Sequence, residues 1–166
     1  MTEPTRSLSL SKPPEVKVEM MIRRPVHDVF QAFIDPDITT RFWFTRSSGE
    51  LRQGERVRWD WEMYGVHTDV EVKTIEENRR ILIEWDSYVG RTPVEWLFAA
   101  RPDGTTFVTV RNWGLQGKDG DDLVSQALDS TQGFTFLLSA AKAWLEHGVE
   151  LNVVADKSPD RHVAAV

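Results

Sequence analysis

Between residues 55 and 113 the hydrophobic pattern has a period of two, and this run most constrains the fold. In "GERVRWDWEMYG", Val57, Trp59, Trp61 and Met63 share one face of an extended chain, while Arg58, Asp60 and Glu62 share the other. In "VHTDVEVKTI", Val66, Thr68, Val70 and Val72 alternate with His67, Asp69, Glu71 and Lys73. "ILIEWDS", "VEWLFAA" and "TTFVTVRNWG" carry the pattern on, with "EENRR" as a turn and "RPDG" at 101–104 as a hairpin turn. Connectors this short join consecutive strands in antiparallel order. The sheet has one apolar face, and that face needs a cover.

The cover lies after the sheet. On a helical wheel Leu123, Ala127, Phe134, Leu137, Leu138, Ala141, Trp144 and Leu145 fall in one arc about 120° wide. Gln132, Thr135, Ser139, Lys142 and Glu146 form a wet side, and Gly133, Phe136, Ala140 and Ala143 form a third arc. Asp121 and Asp122 suit the positive end of this helix, and Gly148 suits its end. The main stripe should sit in the concave side of the sheet, because twisted antiparallel sheets curl. The third arc should be covered by the apolar tail "VELNVVA" or by a second copy of the chain. "LQGKDGDD", before the helix, has no Lys-Ser/Thr pair, so it is a loop and not a phosphate cradle.

Ahead of the sheet, "EVKVEMMI" alternates through Val16, Val18, Met20 and Ile22 as a strand. In "RPVHDVFQAFIDP", Pro25 suits a first helical position, and Val26, Val29, Phe30 and Phe33 share a helical face. Asp35 precedes Pro36, which stops that helix, and Asp35 can cap a second short one ending at Trp43. Residues 1–14 read as a flexible arm, 15–150 as one domain and 151–166 as a tail. The expected class is α+β: a curved antiparallel sheet of six to seven strands wrapped on a long C-terminal helix, with two short helices after the first strand.

Composition removes several chemistries. The 166 residues contain no cysteine, which excludes thiol catalysis, iron–sulfur clusters, cysteine-bound zinc and disulfides. A net charge of −6 with no dense basic run argues against nucleic acid. His27, His67, His147 and His162 are scattered without metal-ligand spacing, so neither metal nor cofactor is expected. No stretch approaches the roughly 20 apolar residues of a membrane span, and no secretory leader is visible, so the expected location is the cytoplasm.

What stands out is seven tryptophans. Aromatic side chains fill cores and also line ligand pockets. The candidate ligand-binding set is Trp43, Trp59, Trp61, Trp85, Phe98, Asn112, Phe134 and Leu138, with Trp59, Trp61, Phe134 and Leu138 expected to meet. Asn112 shares the inward face with Val108 and Val110 and needs partners there. Asp60, Glu62, Glu95 and Arg111 should face outward. Were Asp60 and Glu62 inward instead, they would form a carboxylate pair suited to acid–base work. No catalytic residue is assigned.

Three segments carry a family resemblance. "PVHDVFQAFIDPDITTRFWF" resembles the pattern Pro-x-x-x-Val-Phe/Trp-x-Ala-x-x-x-Pro ending in a Trp-aromatic pair. "RILIEWD" resembles a strand ending in Trp, and "STQGFTFLLSAAKAWLEHG" a final helix with Gly-aromatic, Leu and Leu-Glu-x-Gly. Together they resemble the SRPBCC (START-like) superfamily, nearest the branch named for the activator of the heat-shock-protein-90 ATPase homologue, over residues 16 to about 150. The resemblance implies a helix-grip fold. It also implies a small apolar or aromatic ligand under the last helix, with no evident catalysis. Two alternatives come from the same superfamily: a polyketide cyclase or aromatase, and a chaperone-activator-like interaction module. The eukaryotic cochaperone carries an additional N-terminal domain, for which this chain has no room. A homodimer is a further expected partner.

Overall fold

The period-two run folds as the expected antiparallel meander in a computed structural model that describes residues 6–87 and 90–164. The first five residues of the arm and the last two of the tail lie outside the described residues. The elements are β1 (Val16–Ile22), α1 (Val26–Ile34), α2 (Pro36–Thr39), β2 (Arg46–Ser47), β3 (Arg56–Trp61), β4 (Val66–Glu76), β5 (Arg80–Ser87), β6 (Gly90–Ala100), β7 (Thr106–Asn112), α3 (Gly120–His147) and α4 (Val153–Asp156). The sheet order is β1-β7-β6-β5-β4-β3-β2, antiparallel throughout. Among the described residues it has seven strands, wrapped on α3 in the expected α+β helix-grip arrangement.

The longer strands keep most of the alternation read from the sequence. Val70, Val72, Ile81, Ile83, Val94, Val108 and Val110 are fully buried beneath the helices. A bulge between Val72 and Thr74 bends β4 and adds to the curl. Pro93 sits inside β6, yet residues 90–93 run past the end of β7, so its missing N–H breaks no ladder bond. Asn112 fills the vacant place: its Nδ2 donates to the Pro93 carbonyl over 2.9 Å.

Several boundaries differ from expectation, each for a local reason. Pro25 is the N-cap of α1 rather than its first helical residue, its ψ of 150° being extended. Asp35 caps α2 as expected, accepting from the Asp37 N–H. That helix ends at Thr39, and Trp43 follows in a turn. Strand β3 stops at Trp61, because Glu62–Tyr64 form a single 3-10 turn closed by Gly65 at φ 61°. Met63 therefore leaves the Trp59/Trp61 face. Val66 stays 44% exposed at the hairpin tip, beyond reach of the helix. Trp113 lies just past β7, with the Arg111 guanidinium 5.2 Å from its ring. The two-residue β2 has no periodicity long enough to read in sequence.

Phe134, Leu137, Leu138 and Ala141 form the buried face of α3, and Ala140 of the third arc is buried too. Asp119 caps the helix, accepting from the Asp122 N–H, and Gly148 ends it in the left-handed region. Near its C-terminal end α3 is tied to the β1–α1 turn. Lys142 Nζ donates to the Met21 carbonyl and to Glu146, which also accepts from the Arg23 N–H. Burial works to raise the Glu146 carboxyl, but the Lys142 and Arg23 hydrogen bonds outweigh it and hold the group below its ordinary range.

Candidate ligand site

The turn after α2 pushes Trp43 into the space between sheet and helix, and this insertion organises the interior. Its ring centroid lies 4.9 Å from Trp59, 5.9 Å from Trp61, 6.1 Å from Trp85 and 5.8 Å from Trp96. Phe44 stacks on Trp59 at 4.8 Å and 20°. Phe134, from α3, stacks on Trp85 at 5.9 Å and meets Trp96 edge-on at 6.3 Å. Phe98 lies toward α1 instead, 5.4 Å from Phe30 and 5.9 Å from Phe33. Leu138 is fully buried on the helix face.

One expected meeting is therefore corrected. The aromatic partners of Phe134 are Trp85 and Trp96, while Trp59 and Trp61 pack on Trp43 and Phe44. The helix lies against the β1 side of the sheet, and the loop carrying Trp43 and Phe44 fills the ground in front of β3. A helical wheel shows which residues face inward but not which strand they reach.

Asn112 joins a closed hydrogen-bond chain. Its Nδ2 donates to the Pro93 carbonyl and to Thr92 Oγ1 over 3.2 Å, and its Oδ1 lies 3.1 Å from the Ser130 hydroxyl. Because the carbonyl can only accept, the amide orientation is settled, and Ser130 donates. Thr92 Oγ1 accepts also from Trp85 Nε1 at 3.1 Å. This chain links β5, β6 and β7 to α3 and holds the Trp85 ring against Phe134.

Trp96 is the residue that sequence reading missed. It is 1% exposed, and its Nε1 has no hydrogen-bond partner among the described residues. It lines a narrow crevice together with Phe33, Trp43, Leu51, Trp59 and Ile81. The gap is too narrow to hold a water molecule, so the expected open cavity is filled by aromatic rings. The signal was available: Trp96 stands between Val94 and Phe98 in the same period-two run that pointed Phe98 inward. Thr92 and Ser130 carry no comparable signal.

The charged groups expected to face outward do so, but two are not solvated. Asp60 is 8% exposed, covered by Arg58 at 2.9 Å and Arg46 at 3.8 Å. The Arg58 hydrogen bond holds its carboxyl below the usual range. Glu95 is 6% exposed between Arg80 at 2.7 Å and Arg111 at 3.4 Å. Long arginine stems cover these carboxylates on the convex face. Among the described residues, no cluster of three His, Asp or Glu side chains could hold a metal, and no helix is long and apolar enough to cross a membrane.

The comparisons agree with this architecture. A Staphylococcus saprophyticus protein of known structure is 29% identical, with a TM-score of 0.71 over 83% of this chain and 96% of its own. DynU16, from the dynemicin biosynthetic locus, is 25% identical with a TM-score of 0.71, and this chain spans 48% of it. The Aha1 dimer from Colwellia psychrerythraea shares the fold at 19% identity, with a TM-score of 0.67 over 81% of this chain and 98% of its own. Comparison with curated protein sequences returns no match. Residues 23–140 match the sequence profile of the Activator of Hsp90 ATPase homolog 1-like proteins, and the chain belongs to that family.

Proposed function

We propose that this START-like domain binds a small, flat aromatic or apolar molecule bearing a hydrogen-bond acceptor, held between the sheet and α3. The observation that carries the reading is the unpaired indole N–H of Trp96, buried beside the gap at Trp43 and Trp59. Buried donors are nearly always paired, and leaving one unpaired is costly. An acceptor oxygen on a ligand supplies the missing partner. The gap is smaller than a ligand, so binding displaces half-buried Trp43, which comes from a loop rather than from the sheet. Trp43, Trp59, Trp61, Trp85, Phe134 and Leu138 form the walls, Asn112 holds Trp85 through Thr92, and Phe98 packs behind. The likeness to DynU16, from the dynemicin biosynthetic locus, fits a small-molecule role.

The test is native mass spectrometry of protein purified from its host, followed by affinity measurement on Trp96→Phe. A retained small molecule whose affinity drops about tenfold or more in the variant supports the reading, because the variant removes the indole donor while keeping an aromatic ring at the position. Full affinity in the variant removes Trp96 from the site. Protein that carries no small molecule favours a second reading, an interaction module of the kind the family name describes, which the filled interior also suits. The cyclase-type alternative gains nothing from Asp60 and Glu62: Asp60 is tied to arginines on the convex face and Glu62 is exposed. A second copy of the chain stays a proposed partner, with exposed Leu128, Val149 and Leu151 available to it.

A further inference from the structure

Beyond the end of α3 the chain reverses. Gly148, at φ 65°, donates its N–H to the Ala143 and Trp144 carbonyls, and residues 149–164 run back along the helix. Lys157 Nζ reaches Asp129 at 3.6 Å. Asp129 lies 18 positions before His147, which is about 27 Å of helix. Val153 of α4 is half-buried against the core, and α4 lies against α3.

The segment then crosses to the β3–β4 hairpin. The Tyr64 hydroxyl stands against the carbonyls of Val154 and Ala155. The His162 ring lies 5.3 Å from the Tyr64 ring, and the Val163 N–H donates to the Met63 carbonyl over 2.9 Å. A Val163 methyl lies 3.2 Å from where a Cβ on Gly65 would sit, so a larger residue there would push it off. The segment thus bridges α3 and the β3–β4 hairpin, while the helix itself lies mainly toward β1. Half-buried Trp43 stands two residues after Arg41, which pairs with Glu150 of the segment at 3.2 Å.

We propose that residues 149–164 are a detachable strap over the mouth of the aromatic interior, and that its release admits the ligand. The inference rests on the ligand-binding reading above. The strap is built to open: none of its residues is buried, and its attachments are a few hydrogen bonds, the half-buried Val153 and two exposed ion pairs, Arg41–Glu150 at 3.2 Å and Lys157–Asp129 at 3.6 Å. Segments with so few buried contacts open locally without unfolding the domain.

The test uses the full chain, Tyr64→Phe, and Tyr64→Phe combined with Val163→Pro. The second change removes the N–H given to Met63, and His162 is already extended at φ −63° and ψ 134°, as a residue before proline must be. Two readouts are taken: acrylamide quenching of tryptophan fluorescence, and the stopped-flow association rate of the neutral aromatic probe N-phenyl-1-naphthylamine. Loss of the phenol hydrogen bonds should raise the open population, and with it the probe association rate, about five- to tenfold, with unchanged far-UV circular dichroism. Quenching should rise in step. Unchanged quenching and an unchanged rate, with the probe still bound, overturn the strap and leave the ligand reading intact. Raised quenching with no probe bound by any form supports the strap as a cover and counts against the ligand reading.

Discussion

Phe134→Ala is the sharpest test of how the interior is filled. The ring is 4% exposed, stacks on Trp85 and meets Trp96 edge-on. Truncating a buried Phe to Ala costs about 3–5 kcal/mol, and the cost is greatest where neighbours cannot collapse into the space. Here they are held. Trp85 is tied to Thr92 and Asn112, and Trp96 stands in a central strand with neighbours on both sides. Two aromatic pairs, each worth about 0.5–1.5 kcal/mol beyond burial, are lost together. The expected loss is therefore at the upper end, about 4–5 kcal/mol. For a chain of this size each kcal/mol lowers Tm by about 2–4 °C, so the midpoint should drop by about 8–20 °C. Urea unfolding followed by circular dichroism and tryptophan fluorescence measures it, with an unchanged m-value as the check on two-state behaviour. The variant should also take up benzene-sized molecules, since apolar cavities of this kind stay dry and accept them. A loss below about 1 kcal/mol without such uptake would refute a rigid, filled aromatic interior.

Other outcomes follow from the polar chain and the carboxylates. Asn112→Ala should destabilise by about 1–3 kcal/mol in urea unfolding, because the Pro93 carbonyl and the Ser130 hydroxyl lose their partner, and Trp85 fluorescence should shift as its anchor loosens. Asp60, Glu71 and Glu146 are each held below the ordinary carboxylate range, by Arg58, by Lys73, and by Lys142 with the Arg23 N–H, which in Glu146 outweigh burial. Their folded state binds protons less readily than the unfolded chain. The stability they contribute is present above the unfolded value of about 4 and is lost as pH falls through the lower folded values. Urea midpoints should fall on going from pH 6 to pH 3, and Glu146→Gln should make that fall shallower; an identical slope in the variant would remove Glu146 from the effect.

Much of the fold was legible because both of its periodic signals are long. Alternation from Val57 to Asn112 marks the inward face strand by strand, and the wheel of Leu123 to Leu145 marks the helix face that meets it. Local chemistry is legible too, as in the Asp35 cap and the Gly148 stop. These are short-range properties, decided by side-chain direction within one element. Which inward residues touch is a different matter. It depends on where α3 crosses the sheet and on what the intervening loop places between them, and here the loop delivers Trp43 and Phe44 in front of Trp59. The burial of Asp60 and Glu95 on the convex face likewise needs arginines from other positions and strands to lie over them. Whether the tryptophans enclose a space or fill it rests on ångström-scale distances between rings from β3, β5, β6, α3 and the turn after α2. Packing of that kind is cooperative among distant segments, so no single stretch of sequence contains it.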